Sequence, residues 1–90
     1  MAQIEETDEI RLKRLRMRCW RRGTKEMDLI LGPFADARLA ELSAKILDDL
    51  EKVLDENDQD LYLWYAGKQS PPDKYNMFFN ELRNFHGDRP

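Results

Sequence analysis

Residues 19–28 read Cys19-Trp20-Arg21-Arg22-Gly23-Thr24-Lys25-Glu26-Met27-Asp28, CWRRGTKEMD. This stretch decides the fold because a helical pattern runs into it from one side and a second pattern leaves it on the other. Upstream, Leu12, Leu15 and Cys19 recur at three- and four-residue steps, with Arg11, Lys13, Arg14, Arg16 and Arg18 on the remaining faces. That spacing predicts an amphipathic helix beginning at Asp8, with Asp8 as its cap. Downstream, Met27, Ile30, Leu31 and Phe34 follow the i, i+3, i+4, i+7 spacing of a buried stripe, which Leu39 and Leu42 extend. Between them, Gly23 is the residue type that ends a helix in a left-handed turn, and Thr24 the type that caps the next.

The same period continues to the end of the chain. Gly32-Pro33 interrupts the second helix, since proline lacks a donor and crowds the carbonyl four residues earlier; either one kinked helix over about 25–41 or two short helices result. Ser43 caps a third helix with Ile46, Leu47, Leu50, Val53 and Leu54 on one face, and Asn57 stops it. Asp58 caps a short fourth helix carrying Leu61, Trp64 and Tyr65, closed by Gly67. Ser70 and Pro71 open a fifth, in which Tyr75, Phe78, Phe79, Leu82 and Phe85 share a face. No alternating run reads as a strand. The expectation is all-α: a compact single-domain bundle of about five short helices over residues 8–87, with a flexible arm at 1–7 and a tail at 88–90.

Composition narrows the function classes. The 90 residues are 41% hydrophobic and 37% charged, with a net charge of −3, which suits a soluble chain with a modest core. Eight of the 15 basic residues lie between Arg11 and Lys25 with no acid among them. Eleven of the 18 acids lie between Glu26 and Asp60, against only Arg38, Lys45 and Lys52. The pattern predicts a bipolar molecule whose field orients a partner. No apolar run reaches the roughly 20 residues of a membrane span. Glu5, Glu6, Asp8 and Glu9 stand where an import signal would be basic, so a bacterial cytoplasmic location is expected.

One cysteine, Cys19, and one histidine, His86, exclude disulfide frameworks, zinc fingers and Cys/His nucleophile pairs. The acidic run Asp55 to Asp60 lacks the glycine and terminal glutamate of a calcium loop. Adjacent Asp48 and Asp49 do not converge on one point of a helix and read as surface. Trp64 and the aromatic residues of the last helix have core spacing, and no phosphate-binding glycine loop accompanies them. Catalytic, cofactor-binding and metal residues are therefore assigned to none. At the corner, Arg22 near a helix C-terminus and Glu26 in a first turn are each explained by the helix dipole. A bare Gly23 between them also lets a foreign backbone approach, with the flanking charges available for directed pairs.

These residues resemble the Arg-Gly-x-x-Glu signature of the succinate dehydrogenase assembly factor family, matched here by Arg22, Gly23 and Glu26. The resemblance continues through Pro33-Phe34 and through DQDLYLWY, with Asp58, Asp60, Leu61 and Trp64, to the helix after Pro71. It implies a small helical chaperone, not an enzyme, that docks on the flavoprotein subunit of succinate dehydrogenase, and in bacteria sometimes on fumarate reductase. The partner would hold FAD, and its own histidine would take the flavin covalently; this chain would hold no cofactor. Arg22, Gly23 and Glu26 become the expected partner-binding residues, with neither nucleic acid nor a membrane span involved. Two other classes stay open: a basic-helix regulator of nucleic acid, and a helical adaptor with an unrelated client.

Overall fold

A computed structural model describes residues 6–87. Five α-helices follow one another: α1 (Asp8–Trp20), α2 (Lys25–Arg38), α3 (Ala44–Val53), α4 (Asp58–Tyr65) and α5 (Asn76–Phe85). A 3-10 turn at Leu39–Glu41 follows α2, and another at Asp73–Tyr75 precedes α5. There is no strand among the described residues. The fold is all-α, as the periodicity predicts. The expected arm lies outside the described residues except for Glu6 and Thr7, and the expected tail lies outside them altogether.

The apolar stripes meet in one core. Leu15 and Cys19 from α1, Met27, Leu31, Phe34 and Ala35 from α2, and Ile46, Leu50 and Val53 from α3 are buried together with Leu61, Phe78, Phe79 and Leu82. Phe34 is central: its ring stands edge-on to Phe78 at 5.9 Å and to Phe85 at 5.7 Å between centroids, the geometry the aromatic quadrupole favours. α1 packs chiefly on α2, while α5 touches α2, α3 and α4. Arg83 of α5 donates to the carbonyls of Trp64 (2.6 Å) and Tyr65 (3.4 Å), satisfying the acceptors left at the end of α4.

Several boundaries differ from expectation by a residue or a turn. Thr7, not Asp8, caps α1, its hydroxyl accepting from the Ile10 N–H at 3.2 Å. Asn57, read as a stop, caps α4 by accepting from the Gln59 N–H at 2.8 Å. The start of α5 moves from Ser70-Pro71 to Asn76, because the chain after Pro71-Pro72 first makes the 3-10 turn. Thr24 and Ser43 do cap α2 and α3.

Gly32-Pro33 breaks nothing: α2 stays helical through Pro33. Two tertiary contacts accommodate the pair. The indole of Trp20 lies against Gly32 so closely that a Cβ there would overlap Cδ2, Cε2 and Cε3 of the ring. On the proline side, His86 Nε2 lies 2.8 Å from the Ile30 carbonyl, so Nε2 carries the proton and donates to backbone next to the turn that proline disturbs. Gly67 and Gly87, with φ of 77° and 85°, supply the left-handed residues after α4 and α5. Gly23 has no positive φ, so the left-handed turn expected there is corrected.

Candidate functional site

The corner between α1 and α2 is held from both sides by carboxylates. Asp28, one turn into α2, accepts the Arg22 backbone N–H at 2.6 Å. Asp58, the first residue of α4, accepts the Gly23 N–H with Oδ2 at 2.5 Å and the Arg22 Nε with Oδ1 at 2.7 Å. Capping by Asn57 leaves the Asp58 side chain free for this task. Arg22 uses its other nitrogens on the end of α3: Nη1 donates to the Leu54 carbonyl at 2.7 Å and Nη2 to the Glu56 carbonyl at 3.0 Å. Its side chain is 11% exposed and that of Asp58 13%. An ion pair so far out of water is kept only when most of its donors and acceptors are satisfied, as they are here.

The three expected site residues therefore divide. Arg22 does not aim outward at a partner; it turns inward and clamps the corner to the junction of α3 and α4. The sequence could not show this because its acceptors lie 32 to 36 residues away. Gly23 is exposed, and its missing side chain has a local use: a Cβ would stand 2.9 Å from Asp58 Oδ2. Glu26 is exposed and has no partner among the described residues. It lines a hollow of about 520 Å³ together with Thr24, Asp58, Gln59, Tyr62 and Leu63. Its lining is partly apolar, since it includes Leu63 and Tyr62, the latter 42% exposed; outside the lining, Leu29, three residues beyond Glu26 on α2 and so beside it on the helix, is 53% exposed.

Asp58, Asp28 and Tyr62 are the residues that sequence reasoning missed at this site. A signal did exist for Asp58, an acid within the segment of opposite charge to the corner. Its role as a helix cap supplied a sufficient local explanation and hid it. The remaining chemistry-bearing groups are structural. Cys19 is buried, which pushes its thiol up to about 12, a protonated and unreactive state at neutral pH. Among the described residues, no three His, Cys, Asp or Glu side chains gather as metal ligands. No described helix is long and apolar enough to cross a membrane.

A protein-family model described as the flavinator of succinate dehydrogenase matches residues 13–86, which include the whole corner and all of α2 to α5. The chain belongs to this flavinator family. Among curated relatives, the mitochondrial succinate dehydrogenase assembly factor 2 of Schizosaccharomyces pombe is 32% identical over 82 residues, covering 89% of this chain and 59% of that protein. The protein of the same name from Mycosarcoma maydis is 35% identical over 75 residues, 83% of this chain and 32% of the relative. That of Scheffersomyces stipitis is 42% identical over 59 residues, 66% and 40% respectively. The chain thus spans under two thirds of the length of these relatives. They also correct the expected location: each is a mitochondrial protein of a fungus, which points to a mitochondrial and not a bacterial cytoplasmic setting. Four acidic residues near the beginning of a sequence were the basis of that expectation, and such charges are compatible with either compartment.

Proposed function

We propose that this chain docks on the flavoprotein subunit of succinate dehydrogenase and promotes the covalent attachment of FAD there, as a chaperone and not as a catalyst. The observation that carries the reading is the geometry of the corner in a member of the flavinator family. Gly23 and Glu26 are presented on the surface, while Arg22, Asp28 and Asp58 immobilise the backbone beneath them. A surface already held in shape loses little entropy on binding, so more of its contact energy appears as affinity. The corner's rigidity would then be imposed on the flavoprotein. Restricting the motion of the partner around its flavin lowers the entropic part of the barrier to a reaction whose atoms belong to FAD and the partner.

Within this reading Arg22 is a positioning residue, Gly23 the point of close approach, and Glu26 the directed polar contact with Tyr62 and Leu29 beside it. FAD is assigned to the partner within this reading, and the hollow beside Glu26 is in keeping with that: it is lined by two carboxylates and no cation, a poor match for a pyrophosphate. The nucleic-acid alternative has less behind it. Of the eight cations between Arg11 and Lys25, Arg11, Arg14, Arg16, Arg18 and Arg22 are engaged by carboxylates of the same chain.

The test is co-expression of the chain with the flavoprotein subunit, read as in-gel fluorescence of covalently bound flavin. Glu26→Ala removes a charged contact worth about 1.5–3 kcal/mol and should weaken docking by about ten- to a hundred-fold. Flavin fluorescence should fall accordingly, while the variant stays folded with a loss of stability no larger than about 1 kcal/mol. Gly23→Leu should also lower fluorescence by blocking approach, with some loss of stability because its Cβ crowds Asp58 Oδ2. Undiminished fluorescence with both variants would overturn the site, and equal fluorescence without the chain would overturn the function.

A further inference from the structure

A second surface adjoins the corner. Along α1 and onto its C-cap Arg21, the residues Ile10, Lys13, Met17 and Arg21 recur at steps of three and four and line one side. With Arg14, Arg18 and Arg22 they line an open groove of about 630 Å³. Ile10 is 50% exposed and Met17 46%, so neither belongs to the core. The three arginines behind the stripe are already engaged: Arg14 by Glu6 and Glu51, Arg18 by Asp55 and the Leu54 carbonyl, Arg22 by Asp58. Lys13 and Arg21 have no partner among the described residues. Two unneutralised cations therefore bracket an exposed methionine, eight residues or about 12 Å apart along the helix, with an exposed isoleucine one turn further on.

That arrangement selects its occupant by chemistry. A second copy using the same face would oppose like charges. A nucleic-acid backbone gains from a dense row of free cations, and here most of the row is neutralised while Ile10 and Met17 offer it nothing. A protein segment carrying carboxylates spaced by about two helical turns, with one apolar side chain between them and another one turn beyond, satisfies all four positions, in the manner of a helix laid against a groove. The stripe ends at Arg21 and the groove it lines reaches Arg22, so it is continuous with the docking corner.

We propose that the Ile10–Arg21 stripe, along α1 and its C-cap, is a second docking surface, taking an acidic and apolar segment of the flavoprotein; this rests on the docking reading above. The cations steer the encounter, and Ile10 and Met17 hold the docked segment by burial.

The experiment measures binding of the full chain to purified flavoprotein subunit at low and high salt. Lys13→Glu/Arg21→Glu should raise Kd by about tenfold or more at low salt, with the difference shrinking at high salt as the charges are screened. Ile10→Ser/Met17→Ser should raise Kd by a similar factor at both salt concentrations. All four side chains lie outside the core, so thermal melts of both variants should match the parent. If both variants bind like the parent at low salt while Glu26→Ala binds weakly, the stripe is overturned and the corner stands. If the parent chain does not bind the flavoprotein, both fall. Normal flavoprotein binding combined with lost self-association, or with lost binding to phosphatidylglycerol vesicles or a single-stranded oligonucleotide, would assign the stripe to that occupant and overturn the proposal.

Discussion

One carboxylate organises the corner. Asp58 neutralises Arg22 and receives the backbone of Gly23, so the shape presented around Glu26 depends on a residue from another helix. Replacing Asp58 by Ala would leave a guanidinium that is 11% exposed with carbonyl acceptors and no counter-charge. Removing one partner of a buried pair costs about 3–5 kcal/mol, and partial access to water puts this case near the lower figure, about 3 kcal/mol. Urea unfolding of Asp58→Ala should show it, and a loss below about 1 kcal/mol would mean that the clasp contributes little. The result also separates roles: Asp58→Ala should lower stability by several times more than Glu26→Ala, which loses only a first-turn dipole interaction of about 0.3–1 kcal/mol. Gly23 and Glu26 were legible as candidates because residue type and spacing suffice to single them out. The inward turn of Arg22 was not, since a local reading cannot tell a guanidinium at a helix end that faces solvent from one that reaches another helix.

Between elements, the decisive contact is the crossing of α1 and α2. Glycine in a helix interior costs about 1 kcal/mol relative to alanine, so Gly32 needs a reason, and the Trp20 ring against it supplies one. Trp20 also donates through Nε1 to Asp36 at 3.1 Å, which keeps the indole flat along α2. Gly32→Ala therefore gains helix propensity and loses the crossing. Overpacking of about 1–3 kcal/mol should outweigh the propensity, lowering the melting temperature and moving Trp20 toward water. In a Trp64→Phe background, Trp20 emission should shift to the red. Unchanged emission with equal or higher stability would show that the ring is not held there. The sequence marked Gly32-Pro33 as an interruption and left its course open. Whether a proline ends a helix depends on what supports the backbone around it, here Trp20 and His86 from elsewhere in the chain.

Across the whole molecule, folding cancels much of the charge segregation visible in the sequence. Arg11 binds Asp48 and Glu51, Arg14 binds Glu6 and Glu51, Arg18 binds Asp55, and Arg22 binds Asp58, so basic α1 lies along the acidic edge running from α3 to α4. The expected bipolar field is correspondingly reduced, leaving Lys13 and Arg21 as free cations on the outer stripe. Glu51 is the hub. Hydrogen bonds from Arg14 first and Arg11 second hold its carboxyl below the ordinary value of 4.5. A depressed carboxylate stabilises the fold above its unfolded value, and that stabilisation is lost as pH falls through the folded one. Glu51→Gln should thus be less stable than the parent by about 1 kcal/mol at pH 7, and the gap should close below pH 4.5, as urea midpoints at pH 7 and pH 3 would reveal. A gap that stays constant with pH would assign the loss to packing.

What the amino-acid order determined by itself is the all-α class, the five helices, the core stripes and the position of the exposed corner. Each of these is set by neighbours within a turn or two, through a 3.6-residue period and local caps. Only the tertiary structure decided that Arg22 serves the fold, that Gly32 admits Trp20, and which cations stay free. Ion pairs and close approaches depend on distance in space, and the partners of the Arg11 and Arg22 guanidinium groups and of Gly32 lie 12 to 40 residues away along the chain.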